Sequence, residues 1–117
     1  MQVHAIMRNV RMSAQKMREV VRQIQGLPAL QAQAVLAVVP RKGARFVAKT
    51  LKSAIANVED QVTNNKIPKI ATEALIVKEA VAQTGMIIKR FMPKARGSAG
   101  PILKRRCNIK IVLSDTK

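Results

Sequence analysis

The stretch from residue 85 to residue 106, GMIIKRFMPKARGSAGPILKRR, constrains the fold more than any other part of the chain. It contains seven basic residues and no acidic one. Its two arms, 86–92 and 102–106, are apolar or basic, and its centre is rich in residues that favour turns: Pro93, Gly97, Ser98, Gly100 and Pro101. The pattern predicts an antiparallel hairpin with an irregular, glycine-rich tip.

Such a hairpin is marginally stable at best in water, because two strands bury too little apolar area to offset the ordering entropy of the backbone. The seven cations also repel one another. We therefore expect an anionic partner, and a polyphosphate backbone is the most direct choice. The dozen residues from 83 to 95 would reach on the order of 40 Å at about 3.3 Å per residue.

The whole chain is basic. Its 117 residues include 22 Lys and Arg against 6 Asp and Glu, which gives a net charge of +16. This charge favours a polyanionic partner, because without one the cations would repel one another with no gain to the protein. The length predicts a single domain, and the hydrophobic content of 48% predicts a folded body rather than a disordered basic tail.

Aromatic residues are scarce: Phe46 and Phe91 are the only ones in the sequence. This argues against modules that stack unpaired bases on aromatic platforms, such as the ribonucleoprotein-motif sheet or the oligonucleotide-binding barrel. Recognition through phosphate contacts and helix shape is favoured instead.

Cys107 is the only cysteine, so an internal disulfide and a cysteine-based metal site are both excluded. We expect it to be a small buried side chain in a protein of a reducing compartment. The N-terminal residues lack the features of a signal peptide, and no run approaches the ~20 apolar residues of a membrane span. The sequence predicts a soluble intracellular protein that does not bind membranes.

Apolar periodicity predicts three helices and three strands. Ser13 is a suitable N-cap for the first helix, and Gly26 is suited to a left-handed residue after its end. Two prolines bracket the second helix, with Pro28 in its first turn and Pro40 stopping it. The first helix is predicted at 14–25 and the third at 41–61, with the second lying between the two prolines. The predicted strands are 3–10, 70–83 and 108–113. The hairpin arms would continue the last two strands.

The third predicted helix carries two stripes. Its apolar stripe comprises Val47, Leu51, Ala54, Ile55 and Val58. Its basic stripe comprises Arg41, Arg45, Lys49 and Lys52. Like charges four residues apart destabilise a helix modestly, so the basic stripe is either a solvated face or a row that contacts phosphates. The same two interpretations apply to Lys16, Arg18 and Arg22 on the first helix.

Nothing in the sequence indicates an enzyme. His4 is the only histidine, and the acidic residues Glu59, Asp60, Glu73 and Glu79 are best explained as surface groups or ion-pair partners. No nucleotide-binding glycine loop or metalloprotease motif occurs. We expect no catalysis, cofactor, metal or small-molecule substrate.

Four segments carry a family resemblance: SAQKM at 13–17, LKSAIAN at 51–57, KRFMPKARG at 89–97 and ILKR at 102–105. In this order they resemble the universal family of large-subunit ribosomal proteins conventionally numbered twenty-two. The resemblance covers nearly the whole chain. It implies an α+β fold in which three helices pack on a small three-stranded antiparallel sheet, with a long protruding β-hairpin. The body would comprise about 1–83 and 107–117, and the hairpin about 84–106.

The resemblance also implies a function. In that family the body lies on the outside of the large subunit, and the hairpin threads through ribosomal RNA so that its tip lines the polypeptide exit tunnel. The implied partners are large-subunit ribosomal RNA, neighbouring ribosomal proteins and the nascent polypeptide, in the cytoplasm or in an organelle. Two positions depart from the family: Ser98 stands where relatives often have an arginine, and Asn108 stands where they have a histidine.

Charge and resemblance together select the expected site residues. The expected RNA-binding residues are Arg11, Lys16, Arg18, Arg41, Lys42, Arg45, Lys49, Lys89, Arg90, Lys94, Arg96, Lys104, Arg105 and Arg106. The expected tunnel-tip residues are Arg90, Phe91, Met92, Pro93, Lys94, Ala95, Arg96, Gly97 and Ser98.

Two other functions fit part of the pattern. A nucleoid-type architectural protein could place the basic row of the third helix, or the basic ribbon, in a groove of duplex DNA. The wide spread of the basic residues argues against base readout. A protein bound to an anionic membrane surface would need an inserting apolar face, which the hairpin lacks.

Overall fold

A computed structural model describes residues 2–64 and 74–115 of the chain. It confirms the α+β class, with three helices packed on a three-stranded antiparallel sheet of order β1-β3-β2. Ala95–Gly97 form a single 3₁₀ turn at the hairpin tip. The remaining elements are β1 (Gln2–Val10), α1 (Ala14–Ile24), α2 (Ala29–Val38), α3 (Lys42–Thr63), β2 (Ile76–Pro93) and β3 (Ala99–Ser114).

The last strand of the chain is the central strand of the sheet. Its residue Ile111 pairs with Ala5 of β1 and with Ala80 of β2. The predicted alternation is confirmed, because Ile109, Ile111 and Leu113 are completely buried. The inward side chains of β3 therefore anchor both neighbouring strands to the helical layer.

Helix α1 forms as its sequence predicts, and it ends at Ile24, one residue before the predicted end. The Ser13 hydroxyl accepts a hydrogen bond from the backbone amide of Lys16 at 3.4 Å, which caps the first turn. Gly26 has a φ of 85°, as expected for a residue that follows a helix end. The stripe that faces the core is buried: Met17, Val20, Val21 and Ile24.

The other two helices differ from prediction only at their ends. Pro28 lies immediately before α2 rather than in its first turn, and the helix ends at Val38, two residues before Pro40. Residues that precede a proline avoid helical angles, which explains the early stop. Helix α3 begins at Lys42 and extends two residues past its predicted end. Its predicted apolar stripe is buried throughout: Val47, Leu51, Ala54, Ile55 and Val58.

Strand β2 begins at Ile76, later than the predicted start at residue 70. Of the predicted strand, 70–73 lie outside the described residues. A register shift between Val77 and Glu79 leaves Lys78 and Glu79 both exposed. This bulge explains why alternation is only partial in this segment, since the extra residue changes the face that later side chains occupy.

Beyond the sheet, β2 and β3 continue as a two-stranded hairpin. Their ladder runs without interruption from the pair Ile87–Arg105 to the pair Pro93–Ala99. The arms are therefore longer, and the tip shorter, than the turn-forming residues suggested. Pro101 is accommodated because each arm of a two-stranded hairpin is also an edge, where an amide is not required for pairing. The molecule measures 66 × 28 × 19 Å.

Candidate nucleic-acid interface

The hairpin root gathers basic side chains from three parts of the chain. An open depression of about 380 Å³ is lined by Ile88 and by five cationic residues: Arg11, Arg90, Lys104, Arg105 and Arg106. Arg11 follows the end of β1, whereas the others lie on the two hairpin arms. Antiparallel pairing brings the arms side by side, so residues distant in sequence form one strongly positive concave surface.

The N-terminus of α1 extends this surface. Lys16 and Arg105 line a second shallow depression together with Ser13, Gln15 and Leu103. The first turn of a helix carries a partial positive charge from its free amides, which adds to the potential of the side chains. The hairpin root and the start of α1 therefore form one continuous anion-attracting region.

Arg18 has a structural contact in addition to its predicted role. Its Nε donates a hydrogen bond to the backbone carbonyl of Ala82 at 3.1 Å, which ties α1 to β2 where the hairpin begins. A guanidinium has four further N–H donors, so this bond orients the side chain without exhausting it. Arg18 also lines a depression shared with Thr84, Arg105 and Arg106.

The tip is a short hydrogen-bonded loop. The amide of Lys94 donates to the carbonyl of Ser98 at 2.6 Å, and the Ser98 hydroxyl donates to the carbonyl of Ala95 at 2.9 Å. Arg96 has a φ of 60°, an uncommon conformation for a residue with a side chain. The Lys94 stem lies across Gly100, where an added Cβ would fall 2.5 Å from Lys94 Cε. Hydrogen bonds of Ser98 therefore close the loop.

The basic stripe of α3 is exposed. Exposure is expected both for a solvated face and for a row that contacts phosphates. Arg45, Lys49 and Lys52 lie on the surface of the helix. Arg41 precedes the helix and forms an ion pair with Glu19 of α1, and both side chains are about half exposed. Arg41, Lys42 and Arg45 line a groove between α2 and α3. These residues form a second basic surface. The depressions that they line are not those at the hairpin root.

The predicted residues thus fall into four groups. The root brings together Arg11, Lys16, Arg18, Arg90, Lys104, Arg105 and Arg106. Lys94 and Arg96 belong to the tip, Lys89 lies on the exposed hairpin surface, and Arg41, Lys42, Arg45 and Lys49 belong to the α3 surface. Ser13, Gln15 and Thr84 also line the root but were not predicted, since selection by charge overlooks neutral polar residues.

The described residues contain no group of His, Cys, Asp and Glu side chains suited to a metal ion. Within 2–64 and 74–115, no helix combines the length and apolar character needed to cross a membrane. Cys107 is free and completely buried, as predicted. Burial raises the pKa of its thiol, which keeps it protonated and unreactive near neutral pH.

Comparison with known proteins agrees with the resemblance seen in the motifs. The family model described as Ribosomal protein L22p/L17e matches residues 5–114. The protein is 49% identical over 115 residues to the large ribosomal subunit protein uL22 of Opitutus terrae, covering 98% of this chain and 96% of the relative. It is 42% identical to the proteins of the same name from Akkermansia muciniphila and Chloroflexus aggregans. Those matches cover 98% of this chain and 97% and 96% of the respective relatives.

Both the family match and the identities extend over almost the whole chain, including the hairpin. The fold agrees with the architecture that the resemblance implied. The chain therefore belongs to the L22p/L17e family of ribosomal proteins.

Proposed function

We propose that this chain is a structural constituent of the large ribosomal subunit that binds large-subunit ribosomal RNA through its hairpin and the root of that hairpin. The observation that carries the proposal is the arrangement of charge. Seven cations lie on the hairpin segment without any acidic residue, and four of them meet Arg11 in one depression. Cations that converge without carboxylate partners are suited to phosphate groups.

The hairpin and the body have separate roles in this proposal. The hydrophobic core includes Ala82 and Cys107, but none of its residues lies between 83 and 106. We therefore expect the body to fold without packing by the hairpin. The cations on the hairpin neutralise phosphates from several RNA segments and hold them together, while the body lies on the subunit surface beside neighbouring ribosomal proteins.

The tip would line the exit tunnel and contact the nascent polypeptide. Its small residues Ala95, Gly97, Ser98 and Ala99 are all exposed, and they leave space where a bulky loop would obstruct a narrow passage. Internal closure by Ser98 keeps the tip compact. With Ser98 in place of an arginine, the tip also carries one cation fewer than many relatives.

This role locates the chain in the ribosome, which is cytoplasmic in bacteria such as those that supply the relatives. Membership of a ribosomal protein family also makes the chain a structural protein rather than an enzyme. The alternative of a nucleoid-type DNA-binding protein gains no support, because the three relatives described above are named as large-subunit ribosomal proteins.

Competition binding tests the RNA assignment. The purified chain is bound to labelled large-subunit ribosomal RNA and challenged with equal masses of unlabelled RNA or duplex DNA. We expect the ribosomal RNA to compete strongly and the DNA weakly. Equal competition would contradict the assignment, because it would indicate general polyanion binding.

Cross-linking tests the tunnel assignment. Because Cys107 is buried, Ala95→Cys would supply the one accessible thiol of the chain, at the tip. In assembled ribosomes that carry a stalled nascent chain, we expect this thiol to cross-link to the polypeptide. Ser53→Cys on the exposed face of α3 is the matched control and should not cross-link. Equal yields from both positions, or none from Ala95→Cys, would contradict a tunnel location.

A further inference from the structure

The two faces of the hairpin differ in exposure. Paired residues of an antiparallel ladder share a face, and successive pairs alternate between faces. One face carries the pairs Ile88–Lys104, Arg90–Ile102 and Met92–Gly100. On it, Ile88 and Ile102 are partly covered, and Gly100 is buried beneath the Lys94 stem. This face is already partly packed within the hairpin itself.

The opposite face is exposed along its whole length, although Ile87 and Leu103, nearest the body, are each more than half covered. It carries four consecutive pairs: Ile87–Arg105, Lys89–Leu103, Phe91–Pro101 and Pro93–Ala99. All eight side chains are exposed. Phe91 is 78% exposed, whereas the other aromatic residue, Phe46, packs against the hydrophobic core. The single surface aromatic of the chain therefore lies on the open face of its most basic segment.

Charged and uncharged pairs follow one another in a definite order along this face. The two pairs nearer the body each combine one cation with one aliphatic side chain, and the next two pairs are uncharged. Lys89 and Phe91 lie two residues apart on one strand, which places them about 7 Å from each other along the face. A partner that fits must present negative charge near Lys89 and Arg105 and a flat apolar surface near Phe91.

An unpaired nucleotide combines these two properties, because it has an anionic phosphate and a flat base that stacks on aromatic rings. An acidic peptide would supply charge but no planar surface to match the ring. Stacking within duplex RNA covers the base faces, so the nucleotide must be bulged, flipped or in a loop. The scarcity of aromatics excludes a platform for several bases, but one exposed ring suffices for one base.

We propose that Phe91, with its cross-strand neighbour Pro101, is a stacking site for one unpaired base of the bound RNA, whose flanking phosphates contact Lys89 and Arg105. The inference rests on the proposed function, since it specifies how the RNA-binding hairpin engages its RNA. It gives Phe91 a role in RNA binding rather than in contact with a polypeptide. It also accounts for an exposed aromatic ring on the most basic segment of the chain.

Variants at two neighbouring positions separate stacking from charge. The dissociation constant of the full chain for large-subunit ribosomal RNA is measured at several salt concentrations. We expect Phe91→Ala to weaken binding about 5- to 150-fold without changing the salt dependence, because stacking releases no counterions. Phe91→Tyr should bind like the wild type and Phe91→Leu should weaken binding. Lys89→Ala should reduce the slope of log affinity against log salt by about 0.7–0.9.

Met86→Ala is the matched control. Met86 is another exposed apolar side chain of the hairpin, at 58%, but it lies outside the regular ladder and has no planar group. Its replacement should change affinity no more than about twofold, as for an ordinary surface substitution. Circular dichroism of each variant verifies that the fold is retained.

Chemical probing of the RNA gives a second readout. We expect one unpaired nucleotide to be protected by the wild type and by Phe91→Tyr but to become reactive with Phe91→Ala. Unchanged protection with Phe91→Ala, or full affinity with Phe91→Leu, would overturn the stacking site while leaving RNA binding intact. Failure of the wild type to prefer ribosomal RNA would instead contradict the proposed function, so the two failures are distinguishable.

Discussion

The backbone amide of Asn9 donates a 3.1 Å hydrogen bond to Oδ1 of Asn108, across the point where β1 leaves its regular register with β3. Asn9 has a φ of 57°, a left-handed conformation that asparagine tolerates better than most residues. On the other side of β3, a Cβ added to Gly85 would lie 3.3 Å from the same Oδ1. Asn108 therefore lies between two strand irregularities at the hairpin root.

Replacement of Asn108 tests this relationship. Asn108→Ala removes the acceptor of the Asn9 amide, and we expect the free energy of unfolding to fall by about 1 kcal/mol. Urea denaturation of the purified chain measures the change. Asn108→Asp keeps an acceptor oxygen at the same position and should remain closer to the wild type. Equal stability of Asn108→Ala and the wild type would show that the bond contributes nothing.

The ion pair between Arg41 and Glu19 should restrain RNA binding. Both side chains are about half exposed, so the pair stabilises the fold by less than about 1 kcal/mol. Glu19→Gln frees Arg41 for phosphate contact, and we expect RNA affinity to increase about two- to fivefold. Glu59→Gln, near the other end of α3, removes the same charge without releasing Arg41. If both variants raise the affinity equally, the effect belongs to net charge alone.

The buried thiol of Cys107 predicts a pH dependence of stability. Its pKa is raised by burial in the folded chain, while in the unfolded chain it should be about 8.5. Above that pH the unfolded state loses the proton first, so the free energy of unfolding decreases as pH rises. The decrease should be weaker in Cys107→Ala when both are denatured in urea at pH 7 to 10. Parallel curves for the two proteins would argue against this linkage.

Removal of the outer hairpin tests the separation of body and hairpin. Deleting residues 88–101 leaves 102–104 as a three-residue loop that joins Ile87 to Arg105, which are paired in the intact chain. No member of the hydrophobic core is lost. We expect the truncated chain to unfold cooperatively, with a free energy within about 1 kcal/mol of the intact chain. Loss of cooperative unfolding would show that the body depends on the hairpin.

Sequence alone predicted the helices and the central strand well, because apolar periodicity directly reports which side chains face the core. Val47, Leu51 and Val58 are buried as their spacing required. Prediction from the sequence was less accurate at β2, where the bulge beside Lys78 interrupts the alternation of buried and exposed side chains. Composition also did not predict the length of the arms. Pro93 and Pro101 favour turns in general, but here both lie within the arms, because the edges of a two-stranded hairpin tolerate proline.

The candidate site was predictable in its charges but not in its arrangement. The number of cations in the hairpin was evident from the sequence, and family motifs selected most of them. Convergence of Arg11 with Arg105 and Arg106 depends on the pairing of β1 with β3, which no local pattern specifies. The partnership of Arg41 with Glu19 and the exposed face around Phe91 likewise follow from the tertiary structure.

Salt dependence tests the central claim that the hairpin cations bind RNA phosphates. The affinity of the purified chain for large-subunit ribosomal RNA is measured across a range of salt concentrations. If all seven cations contact phosphates, the slope of log affinity against log salt should be roughly −5 to −6, at about −0.7 to −0.9 per contact. A slope near −1 would contradict the account, because most of the hairpin charge would then play no part in binding.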